Sequence, residues 1–285
     1  KFIINAYFYK GLCHINQGDT ALAIQSLNFV TSKPQNEFSE DALLELARLH
    51  YQNNQMLKAY DTYLRLEKVA ESANYLHESR IGLMRSAFAL GNSRDVIFAC
   101  DKVLMNKKIA EEVKREAHFK KGKAYYDLKR YDEALDELRL IADNISSEEG
   151  AEAKYLVAKI YYDQQDYKLA EQEIRDFISM SSPHAYWLGN CFILLSDVYK
   201  EQDEIFKAKA TLQSLIDHYT ITDDGIIDEA NSKLLEIIKE EKNREFKDEQ
   251  EDIELNFESP EDAGVQDKNI DNQNIPLPDT SDANN

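Results

Sequence analysis

A pair of small residues recurs along this chain every 36 to 38 residues, and that recurrence limits the fold more than any local propensity does. Gly11, Ala47, Gly122, Ala158 and Ser196 hold the first small position, and Ala23, Ala59, Ala134, Ala170 and Ala208 hold the second. Self-similarity at such a period is the signature of stacked supersecondary units, each too small to bury its own apolar face. Residues of this size belong where two helices of a unit cross closely, since a larger side chain would push the axes beyond the usual separation of about 8–10 Å. Three residues after the first small position stand His14, His50, Ala87, Tyr125, Tyr161 and Tyr199, suited to a wedge between units. The third copy departs from the pattern: Met84 and Val96 replace the small residues, and an altered packing angle is expected there.

The turns agree with this reading. Gly18, Asn53-Asn54, Gly91-Asn92, Lys129-Arg130, Gln164-Gln165 and Gln202-Asp203 fall between the paired helices. Gly and Asn tolerate the left-handed conformation that ends a helix. Pro34, the Asn144–Gly150 stretch and Ser181-Ser182-Pro183 separate units. The expected organisation is six helix-turn-helix units over residues 1–219 (about 4–37, 40–73, 77–110, 115–148, 151–184 and 189–219), a capping helix over 223–245 and an acidic, flexible tail over 246–285. The cap is read from Ile226, Ile227, Ala230, Leu234, Leu235, Ile237 and Ile238, which form one apolar stripe at helical spacing.

With small residues at both crossing sites and large ones at the wedge, the sequence resembles the tetratricopeptide repeat (TPR) over about residues 4–219. The resemblance implies an all-α, right-handed superhelical solenoid whose first helices line a concave face, and a protein–protein interaction scaffold or adaptor rather than an enzyme. The long period is also similar to that of bacterial envelope TPR proteins of the outer-membrane-assembly lipoprotein type. That likeness implies a periplasmic or envelope-associated protein. It also raises an alternative role, a structural segment of a longer solenoid that makes contact by its convex face or ends. A solenoid is expected to be capped at both ends. A chain that opens inside a first helix therefore reads as part of a longer repeat protein.

On the first helices, side chains at helical spacings of three and four share one face. One residue after the small position stand Arg48, Arg85, Lys123 and Lys159; four after it stand Tyr51, Phe88, Tyr126 and Tyr162. Three before it stand Leu44, Ile81, Phe119 and Tyr155, and six before it Asp41, Glu78, Glu116 and Glu152. The candidate peptide-binding groove is Arg48, Arg85, Lys123, Lys159, Tyr51, Phe88, Phe119, Tyr126, Tyr155 and Tyr162. Cations flanked by rings suit an extended peptide or a helix. Equally, Lys123 with Asp127 and Lys159 with Asp163 have the spacing of ordinary ion pairs along a helix. The clamp of Lys and Asn that some TPR proteins close on a terminal carboxylate does not carry over, because its positions here hold residues such as Phe119 and Tyr155.

Charge narrows the partners. Of the net −19, −10 falls on residues 246–285, and nothing supplies the clustered Lys and Arg that nucleic acid requires. No apolar run is long enough to cross a membrane. The acidic tail, with apolar islands at Ile253–Phe257 and Ile275–Pro278, could reach the groove in cis or in trans at about 3.3 Å per residue. Cys13, Cys100 and Cys191 fall within the apolar periodicity and read as buried free thiols. The six histidines share no ligand spacing, so no metal, cofactor or catalytic residue is expected.

Overall fold

The computed structural model describes residues 2–257, and among these every regular element is an α-helix. Six pairs follow one another: α1 (Phe2–Gln17) with α2 (Thr20–Thr31), α3 (Ser39–Gln52) with α4 (Met56–Val69), and α5 (Ala73–Ala89) with α6 (Ser93–Leu104). Then come α7 (Glu111–Asp127) with α8 (Tyr131–Ala142), α9 (Glu148–Asp163) with α10 (Tyr167–Ser179), and α11 (Ala185–Glu201) with α12 (Ile205–His218). A last helix, α13, runs Ile226–Phe257. Of the described residues, 2–237 form one compact unit and 238–257 another. Over its described residues the second is the remainder of α13.

Each pair closes through the same turn. The carbonyls of His14, His50, Ala87, Tyr125, Tyr161 and Tyr199 accept the backbone N–H five residues on, at 2.8–3.2 Å. One residue before that donor the chain is left-handed: Gly18, Asn54, Gly91, Lys129, Gln165 and Asp203 all have φ between 56° and 79°. A side chain there is strained where glycine is not. Lys129→Gly and Gln165→Gly are each expected to raise stability by roughly 0.5–1 kcal/mol, read as a higher urea midpoint. An unchanged or lower midpoint would show that the turn gains nothing from glycine.

The first small position is set by direct apposition. A Cβ on Gly11 would meet the Leu27 side chain at 2.9 Å, and one on Gly122 would meet Leu138 at 2.7 Å. In the third pair the volumes are exchanged. Met84 fills the small site, and Cys100 stands where Leu27 and Leu138 stand in their pairs; both are fully buried in one cluster.

A further small position went unnoticed in the sequence. Five residues before the first small one lie Ala42, Ser79, Ala117, Ala153 and Cys191, all 0% exposed, where each first helix packs on the preceding unit. In α1 the same position, Ala6, is exposed, and so is Cys13. Cys13 therefore departs from the expected buried thiol, because no described helix lies against that side of α1. Cys100 and Cys191 are fully buried, and burial drives both thiols well above their usual range.

Ile226, Ala230 and Ile237 of α13 are buried in one cluster with Leu212 and Leu215 of α12, so the start of α13 covers the sixth pair. The helix does not stop near residue 245. It continues to Phe257, through part of the stretch read as a flexible tail. Asp and Glu supply five of the twelve residues from 246 to 257, Gly and Pro are absent from Ile226 to Phe257, and the Glu that favours solvent also favours helix. The rest of the acidic segment, with Ile275–Pro278, lies outside the described residues.

Candidate protein-interaction groove

The first helices of successive pairs touch from α3 to α11, which brings their equivalent faces side by side. On these faces the cations meet the acids of the next unit. Arg48 Nη2 lies 3.1 Å from Glu78 Oε2, thirty residues on, and Arg48 Nη1 donates to Glu45 at 3.0 Å. Arg85 grips Glu116 with Nε and Nη2 at 2.9 and 2.7 Å. Lys123 donates to Glu152. Lys159 binds Asp163 in its own helix instead, and Asn190 takes the place of the acid in the sixth unit. The last contact reverses polarity: Asp197 of α11 accepts from Lys233 of α13 at 2.7 and 2.9 Å.

These pairs shape the electrostatics of the face. Hydrogen bonds and charge from Glu116 hold the Arg85 guanidinium even more firmly protonated than usual. Burial works against the charge of Arg48, but Glu78 and Glu45 outweigh it. Lys120 is pushed down by burial; it sits 3.9 Å over the Phe88 ring, with Lys123 on that ring at 5.8 Å. Lys159 lies over Tyr162, whose hydroxyl is pushed up to about 12 by burial. Tyr126 donates to Asp163 at 2.8 Å, joining the fourth and fifth units. Tyr75 donates to Asp41 and rises to about 12, first through that bond and then through burial.

The structure separates the ten candidate residues into two groups. Arg48, Arg85, Lys123, Lys159, Tyr51, Phe88, Tyr126 and Tyr162 are all partly accessible along one run of first helices. Phe119 is 7% exposed and belongs to the core, and Tyr155 packs on Trp187 with ring centroids 5.5 Å apart. The position three before the small residue lies where one first helix meets the next, so apolar groups there are drawn into the interface. Within the helix, Lys159 pairs with Asp163 as its spacing suggests, whereas Lys123 does not use Asp127, which accepts from Ser93.

Between α3 and α5 the face opens into a notch of about 310 Å³. Arg48, Tyr51, Gln52, Tyr63, Glu78, Ile81, Gly82 and Arg85 line it. Tyr63 comes from α4 and is nearly buried, with its hydroxyl pushed up to about 12, mainly by burial. Its ring fills the space beside Gly82, where an added Cβ would lie 2.4 Å away. At the equivalent place other units carry Glu45, Lys120, Leu156 and Leu194. Sequence reasoning missed Tyr63 and Gly82; the absence of a side chain at that one place was the available signal.

Among the described residues no group of three or more His, Cys, Asp or Glu could hold a metal ion, and no helix is long and apolar enough to cross a membrane.

Stacked helix pairs with small crossing residues and a shared face of first helices define an all-helical repeat solenoid. Models of one family, described as tetratricopeptide repeat, match residues 5–29, 109–149 and 119–185, within the first, fourth and fifth units. The fold is similar to a tetratricopeptide repeat protein from Parabacteroides merdae, at 14% identity and a TM-score of 0.51 over 81% of this chain and 98% of that one. It is also similar to MamA of RS-1 in a double-mutant form (13% identity, TM-score 0.51, 62% and 93% covered). A third likeness is to the nearly identical TPR-like repeats of a Podospora anserina protein (15%, 0.50, 64% and 95%). No curated protein matches the sequence. At these identities the likenesses show the fold. The matched tetratricopeptide repeats suggest a protein–protein interaction scaffold, and proteins built from such repeats are typically non-enzymatic.

Proposed function

We propose that the face formed by α3, α5, α7, α9 and α11 holds an extended segment of a partner protein. The observation that carries this reading is the arrangement of the cations. Their side chains are between 28% and 43% exposed, each is fixed by a carboxylate, and each stands among accessible rings. Side chains already fixed by neighbours lose little freedom when a ligand arrives, so they bind at a smaller entropic cost. A strongly acidic ligand gains less here, because each cation already has its counter-charge. The chain's own acidic segment is therefore a weaker occupant than a partner peptide of mixed character.

Charge exchange tests the reading without dismantling the ladder. Arg85→Glu alone sets like charges against Glu116 and is expected to lower the thermal midpoint. Arg85→Glu with Glu116→Arg restores the pair and the midpoint while reversing its polarity. Proteins retained from source lysate by the full chain should be lost on the exchanged variant. The same set retained at wild-type levels would remove the groove from consideration and favour the second helices, where Leu57, Phe98, Leu140 and Phe206 are exposed.

A further inference from the structure

We infer that the notch between α3 and α5 is an anchor pocket for an aromatic side chain of the bound segment; this rests on the groove reading above. The chemistry follows from what the two guanidiniums have already spent. Arg48 gives its edge to Glu45 and Glu78, and Arg85 gives Nε and Nη2 to Glu116. Three N–H donors remain on each guanidinium, but a ligand carboxylate would meet charge that is already matched, and a ligand cation would meet like charge. Both arginine side chains remain 43% exposed, which leaves their planar faces open to a ligand. A planar guanidinium stacks on an aromatic ring, and a lysine ammonium offers no such plane.

The remaining walls suit a ring as well. Tyr63 forms the floor, Ile81 and Tyr51 are partly exposed at the sides, and Gly82, where other units carry a side chain, gives the Tyr63 ring its room. The other rings of the face are engaged: Phe88 under Lys120 and Lys123, Tyr126 on Asp163, Tyr162 under Lys159. Among the described pairs of adjacent first helices, α3 and α5 are the ones that both carry arginine at the position after the small residue.

Arg48→Lys with Arg85→Lys is the discriminating variant, since it keeps both charges and their carboxylate partners but removes the planes. Dodecapeptides are selected from a random displayed library against the full chain, and the binders are measured by fluorescence anisotropy. The expected result is that binders share an aromatic residue. Its change to alanine and the double lysine variant should each weaken binding about tenfold, without adding to one another. If binders are lost on the Arg85/Glu116 exchange but keep their affinity on the double lysine variant, the anchor is overturned and the groove stands. If no binder responds to either variant, both readings fall. Circular dichroism confirms equal helicity throughout.

Discussion

Phe177→Ala is expected to destabilise the array by about 3–5 kcal/mol and to uncouple its last third from the rest. Phe177 on α10 is fully buried, in one cluster with Ala151 and Ala158 of α9, Cys191, Leu194 and Leu195 of α11, and Leu212 of α12. Removing the ring opens a cavity between the fifth and sixth units. In a stack whose stability is a sum of units and nearest-neighbour contacts, a lost interface lets the two sides melt separately. The chain has a single tryptophan, Trp187, on α11 beyond that interface. Its fluorescence should change at a clearly lower urea concentration than the far-ultraviolet dichroism of the whole chain, whereas the wild type should give coincident curves. Coincident curves at the wild-type midpoint in the variant would show that Phe177 does not couple the units.

Gly150→Ala sets two effects against each other, and the sign decides between them. Glycine inside a helix costs roughly 0.5–1 kcal/mol relative to alanine, so propensity alone favours the change. Packing forbids it: a Cβ would stand 2.0 Å from the Asn144 carbonyl oxygen and 3.0 Å from that of Ile141. These are backbone atoms and cannot swing aside as a side chain would. The Gly150 amide is also tied to Ser147 Oγ at 3.1 Å, which caps the start of α9. The expected net loss is about 1–3 kcal/mol or more, visible as a lower denaturant midpoint and faster proteolysis between Asp143 and Ser147. A gain in stability would mean that the turn moves aside freely.

Much of the architecture was legible because packing between paired helices repeats. Gly11 against Leu27 and Gly122 against Leu138 imprint small and large residues at a fixed spacing, and a period survives the degeneracy of any one copy. The site was less legible, because a single helical face does not show which neighbour will cover it. Phe119 shares a stripe with Lys123 yet is drawn into the interface, and Cys13 shares a position with buried residues yet faces solvent. Both the cations and the acids were visible as rows. What linear reading did not supply was that Arg48, Arg85 and Lys123 pair across to the acid about thirty residues on, so Lys123 was matched to Asp127 instead of Glu152. Turn residues such as Lys129 and Gln165 were located by periodicity even though their chemistry argues for glycine.

The ion pairs between neighbours have a consequence for how such an array can change. For Arg48, Arg85 and Lys123 the cation belongs to one unit and its acid to the next, so the third and fourth units each carry one half of two different bonds. Exchanging the third and fourth units would still set a cation against a glutamate at each junction, but moving the sixth unit inward would not. Placed ahead of the fourth unit, the sixth would set Asp197 against Glu116, an acid facing an acid. The units are thus not all interchangeable beads: the charges of the sixth act as an address that bars it from the middle of the array. Moving the sixth repeat must therefore rewrite both sides of its new junction together, which makes the end of this array harder to shuffle than its middle.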